Sequence, residues 1–268
     1  MTKRTKRWLF YSSVGIFLLL SYVIIMYAQG YKYSFSENKF LRTGAISLKT
    51  NIDAKIFLAD KLEGGTSFFG NSFSIDRLLP KRYRLTVQKD NYSDWSKTVT
   101  VEDGLVVDFP NIILLPEEGK EEQKLFDEVD LLFKESEPIP ILKASASEPF
   151  VLNTKNKKLL ENDTQEQKEI AGNVKGFRLL KNKNKIAWWT NNELWVMWLR
   201  DTNYQPFYKN GDREMIIRFA QTIQNAAWFQ DEDHVILELE RVDSKGRPYS
   251  IYQVVEIDKR GGVNIIEL

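Results

Sequence analysis

The chain has 268 residues, with 38 lysines and arginines, 37 aspartates and glutamates, one histidine and no cysteine. Its formal net charge of +1 provides no global positive field to recruit nucleic acid, so we expect no nucleic-acid partner. Without cysteine there are no disulfides, and an exported fold would depend on its hydrophobic core. A single histidine disfavours metal sites and acid–base catalysis, and we predict a protein without enzyme activity or cofactor.

Residues 8–28 read WLFYSSVGIFLLLSYVIIMYA and carry no charge. As a helix this segment would be ~31 Å long, which matches the ~30 Å hydrocarbon core of a bilayer. We therefore predict a single transmembrane helix in contact with the lipid bilayer. The side chains expected to form the membrane anchor are Trp8, Phe10, Phe17, Leu18, Leu19, Leu20, Ile24 and Ile25.

A basic tail, residues 1–7, precedes this segment and contains no acidic residue. Its cations are Lys3, Arg4, Lys6 and Arg7. Because basic flanks stay on the cytoplasmic side, they predict a single-pass cell-membrane protein with a cytoplasmic N-terminus and extracytoplasmic C-terminal domains. The alternative is a cleaved secretory signal, for which Ala28-Gln29-Gly30 offers small residues; its apolar region is usually only about 7–15 residues long.

A polar juxtamembrane linker, residues 29–43, leads to a region in which apolar and polar residues alternate. Alternation with Val, Ile, Tyr and Thr is typical of β-strands, and turn residues separate the segments. The segments are 45–50, 54–58, 82–88, 97–101, 106–109 and 112–115. They predict a small β-sandwich over residues 44–116.

Four short sequence landmarks follow one another along this predicted sandwich. They are Asn51-Ile52-Asp53-Ala54, Thr66, Leu79-Pro80-Lys81-Arg82-Tyr83 and Asn91-Tyr92-Ser93-Asp94-Trp95. Their order resembles the PEGA domain, a surface-associated β-sandwich module, although the Pro and Gly of its name motif are absent. Asn91 stands where that family has glycine, and asparagine also tolerates the left-handed conformation. We expect Tyr92 and Trp95 to pack against the sandwich rather than to bind a ligand.

An acidic segment, residues 117–139, follows the sandwich. Between positions 117 and 137 it holds nine acidic and three basic residues, a composition that predicts a solvated linker. Its apolar residues also fall at helical spacing, so a short amphipathic helix is the alternative. They are Leu125, Phe126, Val129, Leu132 and Phe133.

Short strands return over residues 140–268, in units of about 45–50 residues that resemble the four-stranded blades of a β-propeller. The segment from Ala226 to Ile236 resembles the aromatic, Pro-Asp-Gly turn of TolB-like propellers, with Gln230 in place of the proline. The predicted class is therefore mostly β: a transmembrane helix, a PEGA-like sandwich and an incomplete propeller of about two and a half blades. Since propellers need about 4–8 blades to close, we expect a truncated copy or completion by another chain, with an exposed edge strand near 263–268.

Four tryptophans of this region form a candidate binding surface: Trp188, Trp189, Trp195 and Trp198. Packing between blades is the competing explanation, although neighbouring strand residues point to opposite faces, so that Trp188 or Trp189 should lie nearer solvent. Lys181, Lys183 and Lys185 are predicted to form a solvated basic turn.

The layout as a whole resembles exported bacterial proteins with one membrane helix, a PEGA module and a TolB-like propeller. The resemblance implies a non-catalytic cell-surface scaffold or binding module, with cell-wall polysaccharide or another surface protein as partner. The alternatives are an exported hydrolase, in which His234 would act with Asp231 or Asp233, and a periplasmic assembly factor.

Overall fold

The computed structural model describes residues 2–67, 69–134, 149–162 and 167–268. Two α-helices and twenty β-strands lie in these ranges, so the chain is mostly β with one N-terminal apolar helix. Within the predicted repeat region, residues 140–148 and 163–166 are not among the described residues.

Helix α1 (Lys3–Ala28) is capped by Thr2, whose hydroxyl accepts a hydrogen bond from the Thr5 amide. The basic tail therefore belongs to the helix. An antiparallel hairpin follows, formed by β1 (Tyr31–Ser34) and β2 (Lys39–Arg42). The stretch predicted as a juxtamembrane linker is thus folded.

Seven strands form two sheets that enclose the first apolar core. They are β3 (Gly44–Thr50), β4 (Lys55–Leu58), β5 (Lys61–Gly65), β6 (Ser72–Leu78), β7 (Lys81–Gln88), β8 (Trp95–Val101) and β9 (Val106–Ile112). One sheet has the order β6-β3-β9, with β3 and β9 parallel, and the other has the order β5-β4-β7-β8. Alternation turns one face of each sheet inward, so that Ile46, Ile56 and Leu85 are fully buried.

The sequence landmarks occupy defined positions in this sandwich. Two hydrogen bonds join Ala54 and Thr66. The Ala54 amide donates to the Thr66 hydroxyl at 3.0 Å, and the Thr66 amide donates to the Ala54 carbonyl at 2.9 Å. Asn91 adopts a left-handed φ of 66°, a conformation that asparagine tolerates. Trp95 is 1% exposed and packs edge-to-face on Phe109.

Most of the predicted acidic linker forms helix α2 (Gly119–Lys134). Leu125 and Val129 are its buried residues, while Asp127, Glu128 and Asp130 are exposed. The amphipathic spacing therefore outweighs the acidic composition, because one apolar face has a sheet to pack against. Residues 135–139 lie outside the described part of the chain.

The remaining strands form three antiparallel sheets in chain order. The first sheet has β10 (Phe150–Asn153), β11 (Lys158–Asn162) and β12 (Gln167–Ala171). The second sheet has β13 (Gly176–Leu179), β14 (Lys185–Trp189), β15 (Glu193–Trp198) and β16 (Arg213–Arg218). The third sheet has β17 (Thr222–Trp228), β18 (His234–Val242), β19 (Pro248–Glu256) and β20 (Ile265–Glu267).

These three sheets pack face to face in a row. Trp188 joins the apolar layer between the first and second sheets, and Trp189 joins the layer between the second and third. The other face of the third sheet is covered by α2 and by Ile113 and Leu115 from the end of the sandwich. The second sheet is therefore buried on both faces, which explains why the expectation of one tryptophan nearer solvent was wrong.

The described part of residues 149–268 has three sheets of three, four and four strands, and they form no closed ring. Strand β20 lies at the edge of the third sheet, where Ile265 is 40% exposed. In the turn before β18, Gln230 has a φ of 57°. Because proline is restricted to a φ near −65°, this turn differs from one with proline at that position.

Candidate functional site

The predicted anchor residues all lie on α1 with exposed side chains, from 53% at Leu20 to 76% at Trp8. No residue of this 26-residue helix is buried, and its most apolar 18-residue stretch has a mean hydropathy of 2.2. Within the described ranges it is the one helix long and apolar enough to span a membrane, a property that secretory signal helices share. The four basic residues lie in its first two turns. They are Lys3, Arg4, Lys6 and Arg7.

The C-terminal end of α1 contacts the β-sandwich through side chains, in addition to the backbone that connects them. The Arg77 guanidinium lies 4.6 Å from the centre of the Tyr27 ring and donates a hydrogen bond of 2.8 Å to the Tyr27 hydroxyl. The Gly30 carbonyl accepts from the Thr43 amide at 2.8 Å and from the Thr43 hydroxyl at 2.7 Å. These contacts close the hairpin against the helix end.

A set of charged side chains is buried where the sandwich meets the second and third sheets. We call this set the buried polar interface; its buried members are Lys97, Lys185, Asp233, Glu256 and Asp258, and the half-buried Arg260 lies at its edge. Charged groups are rarely buried unless they are paired, so each of them needs a partner inside the protein.

Lys97 is the centre of the first part of this interface. It projects inward from β8, and its ammonium lies 3.0 Å from a Glu256 carboxylate oxygen and 2.5 Å from the Asp258 carbonyl. The other Glu256 oxygen accepts from the Trp95 indole at 3.0 Å and from Asn264 at 2.9 Å. Two strands of different domains, β8 and β19, are therefore joined by a desolvated ion pair.

Lys185 is the centre of the second part. Its ammonium donates to Asp233 at 2.6 Å, to the Tyr204 hydroxyl at 2.7 Å and to the Glu232 carbonyl at 2.8 Å. Asn111 of the sandwich donates to the other Asp233 oxygen at 2.5 Å. Burial, followed by the negative charge of Asp233, raises the pKa of Tyr204 far above its usual range, so the phenol stays protonated. Lys185 is 1% exposed, which overturns its prediction as part of a solvated turn.

Arg260 and Gln205 cover the outer edge of β9. The Gln205 side chain donates to the Val106 carbonyl at 2.8 Å and accepts from the Asp108 amide at 3.1 Å, as a neighbouring strand would. Arg260 donates to the Asp108 carbonyl and to Gln205, at 2.7 Å each, and pairs with Asp258. The turn after Arg260 passes close to β8, because a Cβ on Gly261 would lie 2.5 Å from the Thr98 carbonyl oxygen.

A small cavity of about 20 Å³ lies inside this interface, between Phe109, Trp198, Tyr204 and Asp258. That volume holds about one water molecule and is too small for an organic ligand. The cavity therefore indicates a packed junction rather than a binding pocket.

His234 is 2% exposed, and its Nδ1 lies 2.9 Å and 3.0 Å from the two carboxylate oxygens of Asp231. Burial acts to lower the pKa of His234, but the hydrogen bond to Asp231 and the charges of Asp231, Glu256 and Asp233 raise it above its ordinary value. The structure thus brings His234 and Asp231 together, in a buried position next to the polar interface. Asp233, the other proposed partner, is bonded to Lys185 instead.

The predicted tryptophan surface is divided by the packing of the sheets. Trp188, Trp189 and Trp198 are at most 2% exposed, and only Trp195 is partly open to solvent. The Trp195 ring stacks on Trp188, with 5.9 Å between ring centres, and its indole donates to Glu193 at 2.9 Å. Only Trp195 therefore remains as part of a surface.

Trp195 lines a groove between the first and second sheets. Its two parts have volumes of about 310 Å³ and 490 Å³ and share Asn173, Thr190 and Glu193. The part without Trp195 is bordered by Lys157, Lys175 and Arg218. Aromatic, amide and charged groups on an open groove suit a polar ligand or an extended peptide better than an enclosed small molecule.

Among the described residues, no three His, Cys, Asp or Glu side chains form a group that could hold a metal ion. No model of a protein family matches the chain, and no curated protein matches it. The resemblances to the PEGA domain and to TolB-like propellers therefore stay predictions.

Proposed function

We propose that this chain is a single-pass membrane protein of the cell surface that acts as a non-catalytic scaffold or binding module. In this proposal the N-terminus is cytoplasmic, and the β-rich body lies outside the membrane. The observation that carries it is α1, a 26-residue apolar helix with no buried residue that continues directly into a folded body. Such a helix in water would expose its apolar side chains along its whole length.

The attachment of the body supports a scaffold role. A flexible linker would let the two β domains move independently, but here Lys97, Asn111 and Gln205 of different segments form hydrogen bonds across the junction. A buried ionic junction fixes one relative orientation of the domains, because any other would leave charges unpaired. The PEGA-like landmarks and the TolB-like repeat pattern favour the same surface role.

The groove at Trp195 is the proposed contact face for a partner. Its partly open indole offers a stacking surface, and Asn173, Thr190 and Glu193 offer hydrogen bonds beside it. Cell-wall polysaccharide or an extended segment of another surface protein has the matching chemistry. Isothermal titration with wall polysaccharide tests the first partner, and binding unaffected by Trp195→Ala would contradict this face.

Membrane topology is the test of the main proposal. The chain has no cysteine, so a single cysteine can be introduced at Phe207, which is 70% exposed, or at Thr5 in the basic end of α1. An impermeant maleimide added to intact cells should label the Phe207→Cys variant, and should label Thr5→Cys only after lysis. Labelling of neither site in intact cells, or recovery of the protein from the soluble fraction, would contradict the proposal.

The non-catalytic part needs its own test. Purified full-length protein should hydrolyse neither peptide nor glycan substrates above the background of a His234→Asn variant. Turnover that disappears in this variant would favour the exported hydrolase instead.

A further inference from the structure

One end of the β-sandwich is built next to the end of α1. The strand register places Gly44 opposite Leu78, Lys81 opposite Val101, and Ala45 beside Val106. Thr43 bonds to Gly30, and Arg77 bonds to Tyr27, so these strand ends are those that face the helix end. If α1 spans a membrane, this end of the sandwich is the one nearest the lipid.

Exposed apolar side chains lie at this end and on the adjoining hairpin. Leu105 and Val106, at the start of β9, are 54% and 50% exposed. The hairpin adds Tyr33 and Phe35, which are 38% and 87% exposed. Tyr33 contacts Phe35 and Phe40 edge-to-face, with ring centres 5.1 Å and 5.3 Å apart. Isolated surface residues of this kind need no explanation, but a cluster of them does.

The surroundings of this cluster are mixed in charge. The exposed cations of the hairpin and this end are Lys32, Lys39, Arg42, Arg77, Lys81 and Arg82, and the exposed acids are Glu37, Asp76, Glu102 and Asp103. Six cations against four acids leave two net positive charges, too few to bind an anionic surface by charge alone. Any attraction to a bilayer must therefore come mainly from the apolar and aromatic groups.

The hairpin starts close to the membrane boundary. Only Gln29 and Gly30 separate it from α1, which limits the distance between the Cα atoms of Ala28 and Tyr31 to about 11 Å. Two strands of four residues are not stable alone in water, so the hairpin needs a surface to pack on. Tyrosine and other aromatic side chains are favoured at the boundary between lipid and water.

We propose that the aromatic hairpin, together with Leu105 and Val106, inserts into the interfacial region of the same bilayer that α1 spans. This inference rests on the proposed function, because it requires α1 to be in the membrane. Contact at two places, helix and sandwich end, fixes the tilt of the body relative to the membrane surface. The partner is lipid rather than a second protein, because α1 brings these side chains to the bilayer without any further association.

Spin labels on single cysteines test the contact in the full-length protein. The variants Phe35→Cys and Leu105→Cys are labelled and reconstituted in phosphatidylcholine vesicles, with Leu62→Cys and Val242→Cys as controls that are 54% and 61% exposed. The relaxation of each spin label is measured in the presence of oxygen, which partitions into lipid, and in the presence of a water-soluble nickel chelate. Labels at 35 and 105 should gain accessibility to oxygen and lose accessibility to nickel, relative to both controls.

A Leu19→Cys label separates the two proposals. If it reports lipid while the labels at 35 and 105 are as accessible to nickel as the controls, the interfacial contact is refuted and the anchor stands. If the Leu19→Cys label is itself in water, the anchor is refuted. Labels at 35 and 105 shielded from both reagents would indicate a protein contact, which also overturns the lipid assignment.

Discussion

The Lys97→Met substitution gives the sharpest test of the buried polar interface. The Lys97 side chain is 0% exposed, and Glu256, its partner at 3.0 Å, is 4% exposed. Removal of the ammonium leaves a buried carboxylate without its cation, which typically destabilises a protein by about 3–5 kcal/mol. Because Trp95 and Asn264 still donate to Glu256, we expect the lower end, about 3 kcal/mol.

The assay is urea unfolding of the full-length protein in detergent, followed by tryptophan fluorescence. A matched control is Lys55→Met, which removes an exposed ion pair of 3.5 Å to Asp90 and should change the free energy of unfolding by less than about 1 kcal/mol. A double variant, Lys97→Met with Glu256→Gln, keeps the hydrogen-bond acceptor and removes the stranded charge. This double variant should recover about 1–2 kcal/mol of the free energy of unfolding that Lys97→Met loses. Equal effects of Lys97→Met and Lys55→Met would refute the reasoning.

Three further predictions concern the packing around this interface. Leu125→Ala should destabilise the protein by about 2–5 kcal/mol, because Leu125 is 4% exposed and packs between α2 and the third sheet. As a control in the same urea assay, Leu131→Ala should cost less than about 0.5 kcal/mol, because Leu131 is 53% exposed. Gly261→Ala should lower the free energy of unfolding by about 1–3 kcal/mol more than Gly246→Ala does. Both glycines have a positive φ, but only a Cβ at position 261 would clash with Thr98. Equal urea midpoints for the two variants would contradict this prediction. The raised pKa of His234 means that protonation stabilises the fold fully below its ordinary value of 6.5, and this contribution is lost as pH rises through the folded pKa. Urea unfolding at pH 6 and pH 9 should therefore show a pH dependence that His234→Asn reduces, and an unchanged dependence would contradict the assignment.

The sequence predicts the local elements of this protein better than their contacts. The apolar run of α1 is determined by nearby residues and is found, as are most of the alternating strands of the sandwich. The predicted strand 112–115 was wrong beyond Ile112, where β9 ends, and β5 and β6 were not predicted. Helix α2 was an alternative to a linker, because the sheet that its Leu125 and Val129 pack against lies far along the chain. The burial of both Trp188 and Trp189 likewise depends on two neighbouring sheets that the local pattern does not reveal.

The buried polar interface was missed, although one signal for it was present. Lys97 alternates with Trp95, Val99 and Val101 on the inward face of β8, a position where a charge requires a buried partner. The identity of that partner could not be read from the sequence, since Glu256 lies 159 positions further along the chain. Lys185 gave no comparable signal because two other lysines of its turn suggested solvent.

The scaffold role requires that the two β domains form one rigid body, and a distance between them tests this requirement most directly. Double electron–electron resonance can be measured between spin labels in a Leu62→Cys, Val242→Cys variant, since both sites are exposed and no native cysteine interferes. The structure predicts a single narrow distance distribution that broadens when Lys97→Met is added. A broad distribution in the otherwise unaltered protein would show that the domains move independently and would contradict the account.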